Sequence, residues 1–161
     1  MKKKIVTAQE ASAIGNGLRE NGRKLVFTNG CFDLLHAGHV RYLQAARALG
    51  DALLVAINGD ESVRALKGEG RPLIRAEDRA VVIAALESVD HVVIFPEVRA
   101  TQLLEIVRPG IYVKGGDYTE ASLHVDERDA LERIGAEIRI LPFEAGHSTS
   151  ALLEKIKQGG A

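Results

Sequence analysis

The chain has 161 residues, 46% of them hydrophobic and 27% charged, a profile that indicates one globular domain and excludes a mainly disordered chain. Its 21 Lys and Arg against 22 Asp and Glu give a net charge of -1, so no global positive field can hold nucleic acid or an anionic membrane. Cys31 is the single cysteine, which excludes an internal disulfide, and no apolar run reaches the roughly 18 residues of a membrane span.

The first part of the chain predicts an opening helix and then a strand, helix, strand unit. Thr7-Ala-Gln-Glu10 has the spacing of a capping box, and the helix that it begins ends at Gly22. The apolar run from Lys24 to Thr28 predicts a buried strand that ends in Asn29-Gly30. A helix carrying Val40, Leu43 and Ala46 and ending at Gly50 precedes a second buried strand over residues 52–57.

The same alternation continues to the end of the chain. The predicted elements are a helix with Val82, Ala85, Leu86 and Val89 on its buried face, a strand over residues 91–95, a helix that ends near Arg108 before Pro109, a strand over 111–113, a helix over 129–134, a strand over 137–141 and a helix beginning near Ser148. Five short strands alternating with helices predict a single doubly wound, Rossmann-like α/β domain with a parallel sheet.

We expect the strand order 3-2-1-4-5 and one domain over residues 1–161, with an N-terminal helix in 1–22 and the α/β core in 23–157. In open parallel sheets, ligands bind beyond the carboxyl ends of the strands. The segment from Gly68 to Pro72 interrupts the alternation and is a candidate lid.

The strongest chemical signal follows the first strand, in the string Thr28-Asn-Gly-Cys-Phe-Asp-Leu-Leu-His-Ala-Gly-His39. Its two histidines are three residues apart at a helix amino terminus, where backbone N–H groups and the helix dipole favour an anion. Gly30 and Gly38 allow a nucleotide to approach the backbone closely, because a Cβ would obstruct it. The pattern predicts a phosphate site.

This string resembles the nucleotidyltransferases whose hallmark is His-x-Gly-His, and within them it is most similar to the heptose 1-phosphate adenylyltransferases of the ADP-heptose pathway. The resemblance covers nearly the whole chain. Further matching segments follow in the same order: Gly50-Asp51, Asn58-Gly-Asp60, Ser62-Val63, residues 66–72, Val113-Lys-Gly-Gly-Asp-Tyr118 and Gly146-His-Ser-Thr149.

The resemblance implies roles for individual residues. His36 and His39 would hold the nucleotide phosphates and Lys67 would reach the triphosphate from the mobile loop, so these three are the expected catalytic residues. The nucleotide side would be formed by Thr28, Asn29, Gly30, Cys31, Phe32, Asp33, Gly38, Asn58, Asp60, Arg71, Ser148 and Thr149. The substrate side would be formed by Lys114, Gly115, Gly116, Asp117 and Tyr118. No protein ligand for a metal is predicted, and Mg²⁺ is expected to bind mainly through the triphosphate.

The implied reaction is transfer of AMP from ATP to D-glycero-β-D-manno-heptose 1-phosphate, giving ADP-heptose and pyrophosphate. A sugar phosphate is already anionic at neutral pH, so its oxygen can attack the α-phosphorus without a protein base. The enzyme must instead align two anions and neutralise the charge that grows on pyrophosphate, which positioned donors and a divalent cation can do.

Three other interpretations of the sequence are a different transferase activity, a binding role without catalysis and a metal site. A closely similar first motif occurs in cytidylyltransferases for glycerol 3-phosphate or a similar alcohol phosphate, against which residues 114–118 argue. The chain could also be a nucleotide-sensing module without turnover. Zinc at Cys31, His36 and His39 is disfavoured, because structural zinc takes four ligands and no second cysteine exists. Arg79 could touch phosphate or be structural.

The expected partners follow from the same resemblance. They are ATP and a sugar 1-phosphate, with a separate heptose kinase and a phosphatase acting in the same pathway, and a second copy of the chain in a homodimer or higher oligomer. Because the chain begins about one helix before the motif, we expect a stand-alone enzyme. The lysines at positions 2–4 lead into no apolar secretion signal, so the cytoplasm is the expected compartment.

Overall fold

A computed structural model describes residues 3–116, 118–142 and 146–159 of the chain. Within them, the strands β1 (Leu25–Gly30), β2 (Ala52–Asn58), β3 (His91–Phe95), β4 (Ile111–Gly115) and β5 (Glu137–Leu141) form one sheet. All neighbouring strands are parallel, and their order is β3-β2-β1-β4-β5, which confirms the predicted fold class and strand order. The carboxyl ends of the strands therefore lie along a single edge of the sheet.

Helices cover both faces of this sheet. They are α1 (Ala8–Glu20), α2 (Ala37–Arg47), α3 (Asp60–Lys67), α4 (Ala76–Ala84), α5 (Thr101–Val107), α6 (Val125–Ile134) and α7 (Thr149–Lys157), with a short 3₁₀ turn at Glu120–Ser122. One core cluster joins α1, α5 and α6 to the sheet through Ala11, Leu104 and Leu131. The opposite cluster joins α2 and α4 through Leu43, Ala80 and Ile83. The strand residues of β2 are buried throughout, as expected for a central strand covered on both sides.

Local chemistry sets several of the boundaries. The N–H of Glu10 donates to the Thr7 hydroxyl at 3.1 Å and the N–H of Thr7 donates to the Glu10 carboxylate at 2.7 Å, so the predicted capping box is present. Helix α5 ends at Val107, and Arg108 adopts a left-handed conformation with φ of 51° before Pro109. The start of α1 and the end of α5 therefore agree with the positions predicted from the sequence.

The segment between β2 and β3 differs from the prediction. Helix α3 is absent from the sequence prediction, because it has only eight residues and only two of them, Ser62 and Val63, are buried. The sequence predicts a helix that carries Val82, Ala85, Leu86 and Val89, but helix α4 ends at Ala84, Val82 is exposed, and Val89 is buried beyond the end of the helix. Its buried residues are Ala76, Arg79, Ala80 and Ile83. A buried arginine occupies a core position, so hydrophobic periodicity alone misplaced the face.

Candidate active site

A cavity of about 560 Å³ opens at the carboxyl edge of the sheet. It is bounded by the loop after β1, the start of α2, the end of α3, the ends of β2 and β4, and the first turn of α7. Of the residues predicted from the sequence, the cavity wall includes Asn29, Gly30, Cys31, Phe32, Asp33, His39, Asn58, Lys67, Arg71, Lys114, Gly115, Tyr118 and Thr149. Segments far apart in the chain thus meet where ligands bind in sheets of this kind.

His36 and His39 form a stacked imidazole pair at the start of α2. Their ring centroids are 3.9 Å apart, and the ring of Phe32 lies 5.4 Å from that of His39. Burial lowers the pKa of His39 to about 4, with a further contribution from His36, and burial together with His147 lowers the pKa of His36. Both rings are therefore neutral at pH 7.

One backbone contact assigns the tautomer of His39. The N–H of His36 donates to Nδ1 of His39 at 3.4 Å, so the ring proton of a neutral His39 is on Nε2. His39 lines the cavity. It can therefore offer an N–H donor to an anion bound there, beside the N-terminus of the helix.

The start of α7 lies beside His36. A small cavity of about 70 Å³ is lined by His36, Gly146, His147, Ser148, Ala151, Leu152 and Lys155. Ser148 accepts a hydrogen bond from the N–H of Ala151 at 3.0 Å and so caps the helix, while the Thr149 hydroxyl donates to the Leu34 carbonyl at 3.2 Å. Two helix N-termini, those of α2 and α7, are thereby held at one end of the site.

Gly38 is required by the packing of these imidazoles. A Cβ at this position would lie 2.9 Å from the Cβ of His147 and 3.0 Å from Nδ1 of His36. From the sequence, the approach of a nucleotide was the expected reason for the glycine. In the structure, close approach of the two histidine side chains is already sufficient to exclude a larger residue.

Thr28 lies beneath the cavity rather than on its wall. The side chain is fully buried, and its hydroxyl and that of Tyr42 are 2.7 Å apart, while Tyr42 also donates to the Val113 carbonyl at 3.2 Å. Burial raises the pKa of Tyr42 to about 12, so this phenol remains protonated. Asn29 accepts a hydrogen bond from Tyr112 at 3.0 Å. These bonds hold the ends of β1 and β4 in register under the site.

Asp33 anchors the loop that follows α3. Its carboxylate accepts hydrogen bonds from Arg71 at 2.6 Å and from the N–H groups of Leu73 and Ile74 at 2.9 Å each. Burial by itself would raise the pKa of Asp33, but the two N–H groups and Arg71 outweigh burial and lower the pKa. Arg71 is thus held at the cavity, whereas Lys67 is an exposed side chain on its rim.

Arg79 joins three segments at the back of the site. Its guanidinium, which is 1% exposed, donates to the carbonyls of Cys31 at 2.6 Å and Asn58 at 2.9 Å and to the carboxylate of Asp60 at 2.8 Å. Of the two roles left open for Arg79 by the sequence, these contacts support the structural one. Asp60 also accepts from the N–H of Ala76 at 2.8 Å, so this carboxylate is engaged away from the cavity.

The other site residues predicted from the sequence include Cys31, Lys114 and Gly116. Burial, partly offset by the charges of Lys67, Arg79 and Arg71, raises the pKa of Cys31, which is unsuitable for a nucleophilic thiolate. Burial lowers the pKa of Lys114, whose Nζ lies 5.1 Å from the centre of the Tyr118 ring. Gly116 has a φ of 88°, and Asp117 lies outside the described residues.

Part of the cavity wall was not predicted from the sequence. The structure adds Tyr42, Leu66, Val98, Arg99, Ser122, Leu123, His124, Glu127 and Ser150. The sequence predicts a helical stretch over residues 129–134, whereas helix α6 begins earlier, at Val125, and its first turn carries Glu127. The position of this turn after the carboxyl end of β4 was the one signal available.

Neither a membrane-crossing helix nor a metal-binding cluster occurs among the described residues. None of the helices in ranges 3–116, 118–142 and 146–159 combines the length and the apolar character needed to cross a membrane. In those same ranges, no three His, Cys, Asp or Glu side chains are arranged so that they could hold a metal ion.

The chain is similar in sequence to known proteins. Residues 27–155 match the family described as cytidylyltransferase-like. The chain is 47% identical over 156 residues to bifunctional protein HldE of Geotalea uraniireducens, covering 97% of this chain and 31% of that protein. It is 51% identical over 142 residues to bifunctional protein HldE of Methylococcus capsulatus, covering 88% and 30%. The chain therefore spans about a third of the length of these relatives.

Two solved structures resemble the chain. The lipopolysaccharide core biosynthesis protein from Thermoplasma volcanium is 28% identical, with a TM-score of 0.63, over 76% of this chain and 98% of that one. Pantoate-beta-alanine ligase from Francisella tularensis is 15% identical, with a TM-score of 0.59, over 92% of this chain and 69% of that one, and shows a likeness of fold alone.

Proposed function

Because the chain belongs to the cytidylyltransferase-like family of nucleotidyltransferases, we propose that it transfers AMP from ATP to D-glycero-β-D-manno-heptose 1-phosphate, releasing ADP-heptose and pyrophosphate. The observation that carries the proposal is the stacked imidazole pair at the start of α2: His39 lies on the wall of a cavity of about 560 Å³, and His36 lines the small cavity beside it. The heptose is supported by the resemblance of residues 113–118 to the heptose enzymes. The 47% identity to a bifunctional HldE protein over 97% of this chain adds to that support.

In the proposed reaction, an oxygen of the sugar phosphate attacks the α-phosphorus of ATP. The bond from that phosphorus to the oxygen bridging the β-phosphate breaks, and pyrophosphate leaves on the opposite side. The acceptor oxygen carries no proton at neutral pH, so no general base and no covalent intermediate are needed. The protein must hold two anions in line and stabilise the charge on the leaving group.

The residues suited to that task lie at one end of the cavity. His39 offers its Nε2 proton, and the N-termini of α2 and α7 add backbone N–H groups. Lys67 stands on the rim at the end of α3, where a change in the following loop would bring its ammonium toward the triphosphate. Arg71 is already held at the cavity by Asp33.

Mg²⁺ fits this arrangement as a partner of the triphosphate. The carboxylates of Asp33 and Asp60 are already occupied, by Arg71 and two N–H groups in one case and by Arg79 and the N–H of Ala76 in the other. Phosphate oxygens would therefore supply most of its ligands. When bound, the cation would neutralise charge on the β- and γ-phosphates. We place the reaction in the cytoplasm, where ATP is available.

The test is pyrophosphate release in the presence of Mg²⁺, with ATP and CTP each combined with β-heptose 1-phosphate and glycerol 3-phosphate. Release with ATP and the heptose alone is the expected result. Release with CTP and glycerol 3-phosphate would replace the substrates with those of the alternative activity. Nucleotide binding with no release in any pair would contradict transfer and favour a sensing module.

A further inference from the structure

One part of the cavity wall is formed by residues that follow β3 and β4. Val98 and Arg99 follow β3, and Ser122, His124 and Glu127 belong to the 3₁₀ turn and the start of α6. This wall adjoins the face of the sheet covered by α1, α5 and α6, whereas the imidazole pair belongs to the face covered by α2 and α4. The cavity therefore crosses the sheet edge from one face to the other.

Glu127 is the unusual residue of this wall. The residue is only 5% exposed and yet lines the cavity. One carboxylate oxygen accepts a hydrogen bond from the N–H of Ala100 at 3.0 Å, just before α5. Among the described residues, no group donates a hydrogen bond to the other oxygen. The Glu127 carboxylate is thus held in place at the cavity wall by one oxygen, and its second oxygen can accept a hydrogen bond from a ligand.

Capping of α5 does not by itself account for a carboxylate here. A single oxygen from a neutral serine, threonine or asparagine is sufficient for such a bond. A buried negative charge beside a site for two phosphorylated ligands raises the cost of binding them. That cost is offset if the ligand brings hydrogen-bond donors to the carboxylate, and charge-assisted bonds of this kind are the stronger ones.

The direction of the reaction places the acceptor near this wall. Pyrophosphate must leave on the side of the imidazole pair, and an in-line attack brings the acceptor from the opposite side. Lys114 also lines the cavity and can contact the same ligand. We propose that Glu127 is a specificity residue that accepts hydrogen bonds from ring hydroxyls of the acceptor substrate, a polyhydroxylated sugar phosphate. This inference rests on the proposed function and identifies a residue by which the enzyme would select its acceptor.

The decisive variant is Glu127→Gln, because its amide oxygen can still accept from the N–H of Ala100 while its NH₂ group replaces the free acceptor. We expect the KM for the sugar phosphate to rise about 10- to 100-fold, the loss typical of one hydrogen bond to a charged group, with the KM for ATP unchanged. Glu120→Gln is the matched control, since Glu120 is exposed and lies outside the cavity wall.

Deoxy analogues of the sugar phosphate, each lacking one ring hydroxyl, separate recognition from structure. The wild-type chain should lose about 10-fold or more in kcat/KM with one analogue, and Glu127→Gln should lose little further with that same analogue. A merely structural role would reduce kcat/KM equally for every acceptor, and that result would overturn the inference. An unchanged KM for the intact sugar phosphate in Glu127→Gln would also overturn it.

Failure of the proposed function gives a different pattern. If the wild-type chain transfers no nucleotide to any sugar phosphate, thermal stabilisation by mannose 1-phosphate is compared with that by inorganic phosphate. Greater stabilisation by the sugar phosphate, lost in Glu127→Gln, would sustain hydroxyl recognition without transfer. Equal stabilisation by both ligands would reject it.

Discussion

His39 is partly buried and has an N–H donor at the cavity, and this combination suits reversible binding of an anion. A permanently charged side chain in the same place would be costly to bury when the site is empty. The neutral ring avoids that cost, and its Nδ1 is engaged by the backbone of His36. A triphosphate bound beside it would favour the protonated ring and raise its pKa again.

We expect His36→Ala and His39→Ala to lower kcat for pyrophosphate release by roughly 10²- to 10³-fold, the usual cost of removing one donor to the transition state. Initial rates under saturating ATP and sugar phosphate would measure this. Circular dichroism and melting curves serve as the control that the fold persists. Turnover within a few-fold of wild type in either variant would contradict the assigned role.

The same histidines predict a dependence of stability on pH. An unfolded histidine has a pKa of about 6.5, whereas the folded pKa of His39 is about 4, so between these values the unfolded chain binds more protons. The contribution of His39 to the free energy of unfolding is therefore fully present above pH 6.5 and is lost as the pH falls toward 4. Asp33 does not interfere, because its lowered pKa affects stability only near and below the unfolded value of 3.8.

Urea unfolding at pH 7.5 and pH 5.0 should therefore differ by about 1 kcal/mol in the wild-type chain, after allowance for the solvated part of the ring. His39→Asn removes the titrating group and should reduce that difference. If the free energy of unfolding falls by the same amount between pH 7.5 and pH 5.0 in both proteins, groups other than His39 cause the loss of stability in acid.

At the scale of elements, helix α1 offers a matched pair of glycines. A Cβ on Gly15 would lie 2.5 Å from the carbonyl oxygen of Val107, at the end of α5, whereas a Cβ on Gly17 meets nothing within 4 Å. Gly15 therefore permits close contact of two helices, and Gly17 faces open space. The two positions differ in packing and share the same helix.

We expect Gly15→Ala to destabilise the chain by about 1–3 kcal/mol, because backbone must move to admit the methyl group. Gly17→Ala should stabilise it by about 0.5–1 kcal/mol through helix propensity. Denaturant midpoints of the two variants against wild type give both values. A loss in Gly17→Ala as large as that in Gly15→Ala would show that α1 tolerates no substitution and would refute the role of close packing at Gly15.

At the scale of the whole molecule, Arg79 joins parts of the chain that are remote in sequence. It binds the carbonyls that follow β1 and end β2, together with Asp60 at the start of α3. The backbone carrying the nucleotide motif is therefore tied to the segment that carries Lys67 and Arg71. Loss of this side chain would leave buried acceptors without donors.

Arg79→Met should lower the free energy of unfolding by about 3 kcal/mol, because the ion pair with Asp60 and the hydrogen bonds to three backbone carbonyls lose their donor. Arg79→Lys should recover only part of this, since one ammonium cannot reach all the acceptors in the same fork geometry. Urea unfolding measures both. Arg75→Met is the control: its side chain is 78% exposed, and a change within about 0.5 kcal/mol is expected.

Three properties could be predicted from the sequence and are confirmed: the fold class, the strand order and the nucleotidyltransferase family. Short apolar runs alternating with helical periods define a parallel sheet through local patterns, and the string from Thr28 to His39 keeps its chemistry within one contiguous segment. The alternation and the string are local features and need no knowledge of distant contacts, whereas the order of the strands depends on such contacts. The predicted roles of individual site residues remain predictions.

Which polar residues face the cavity could not be predicted from the sequence and is seen only in the folded chain. Thr28 lies beneath it, Asp60 is engaged by Arg79, and Glu127 stands on its wall although it follows β4 by twelve residues. Helix α4 shows the same limit, because its buried face contains an arginine whose partners lie up to 48 positions away. Burial of a charged group depends on partners that folding brings together, and no local pattern of hydrophobicity encodes them.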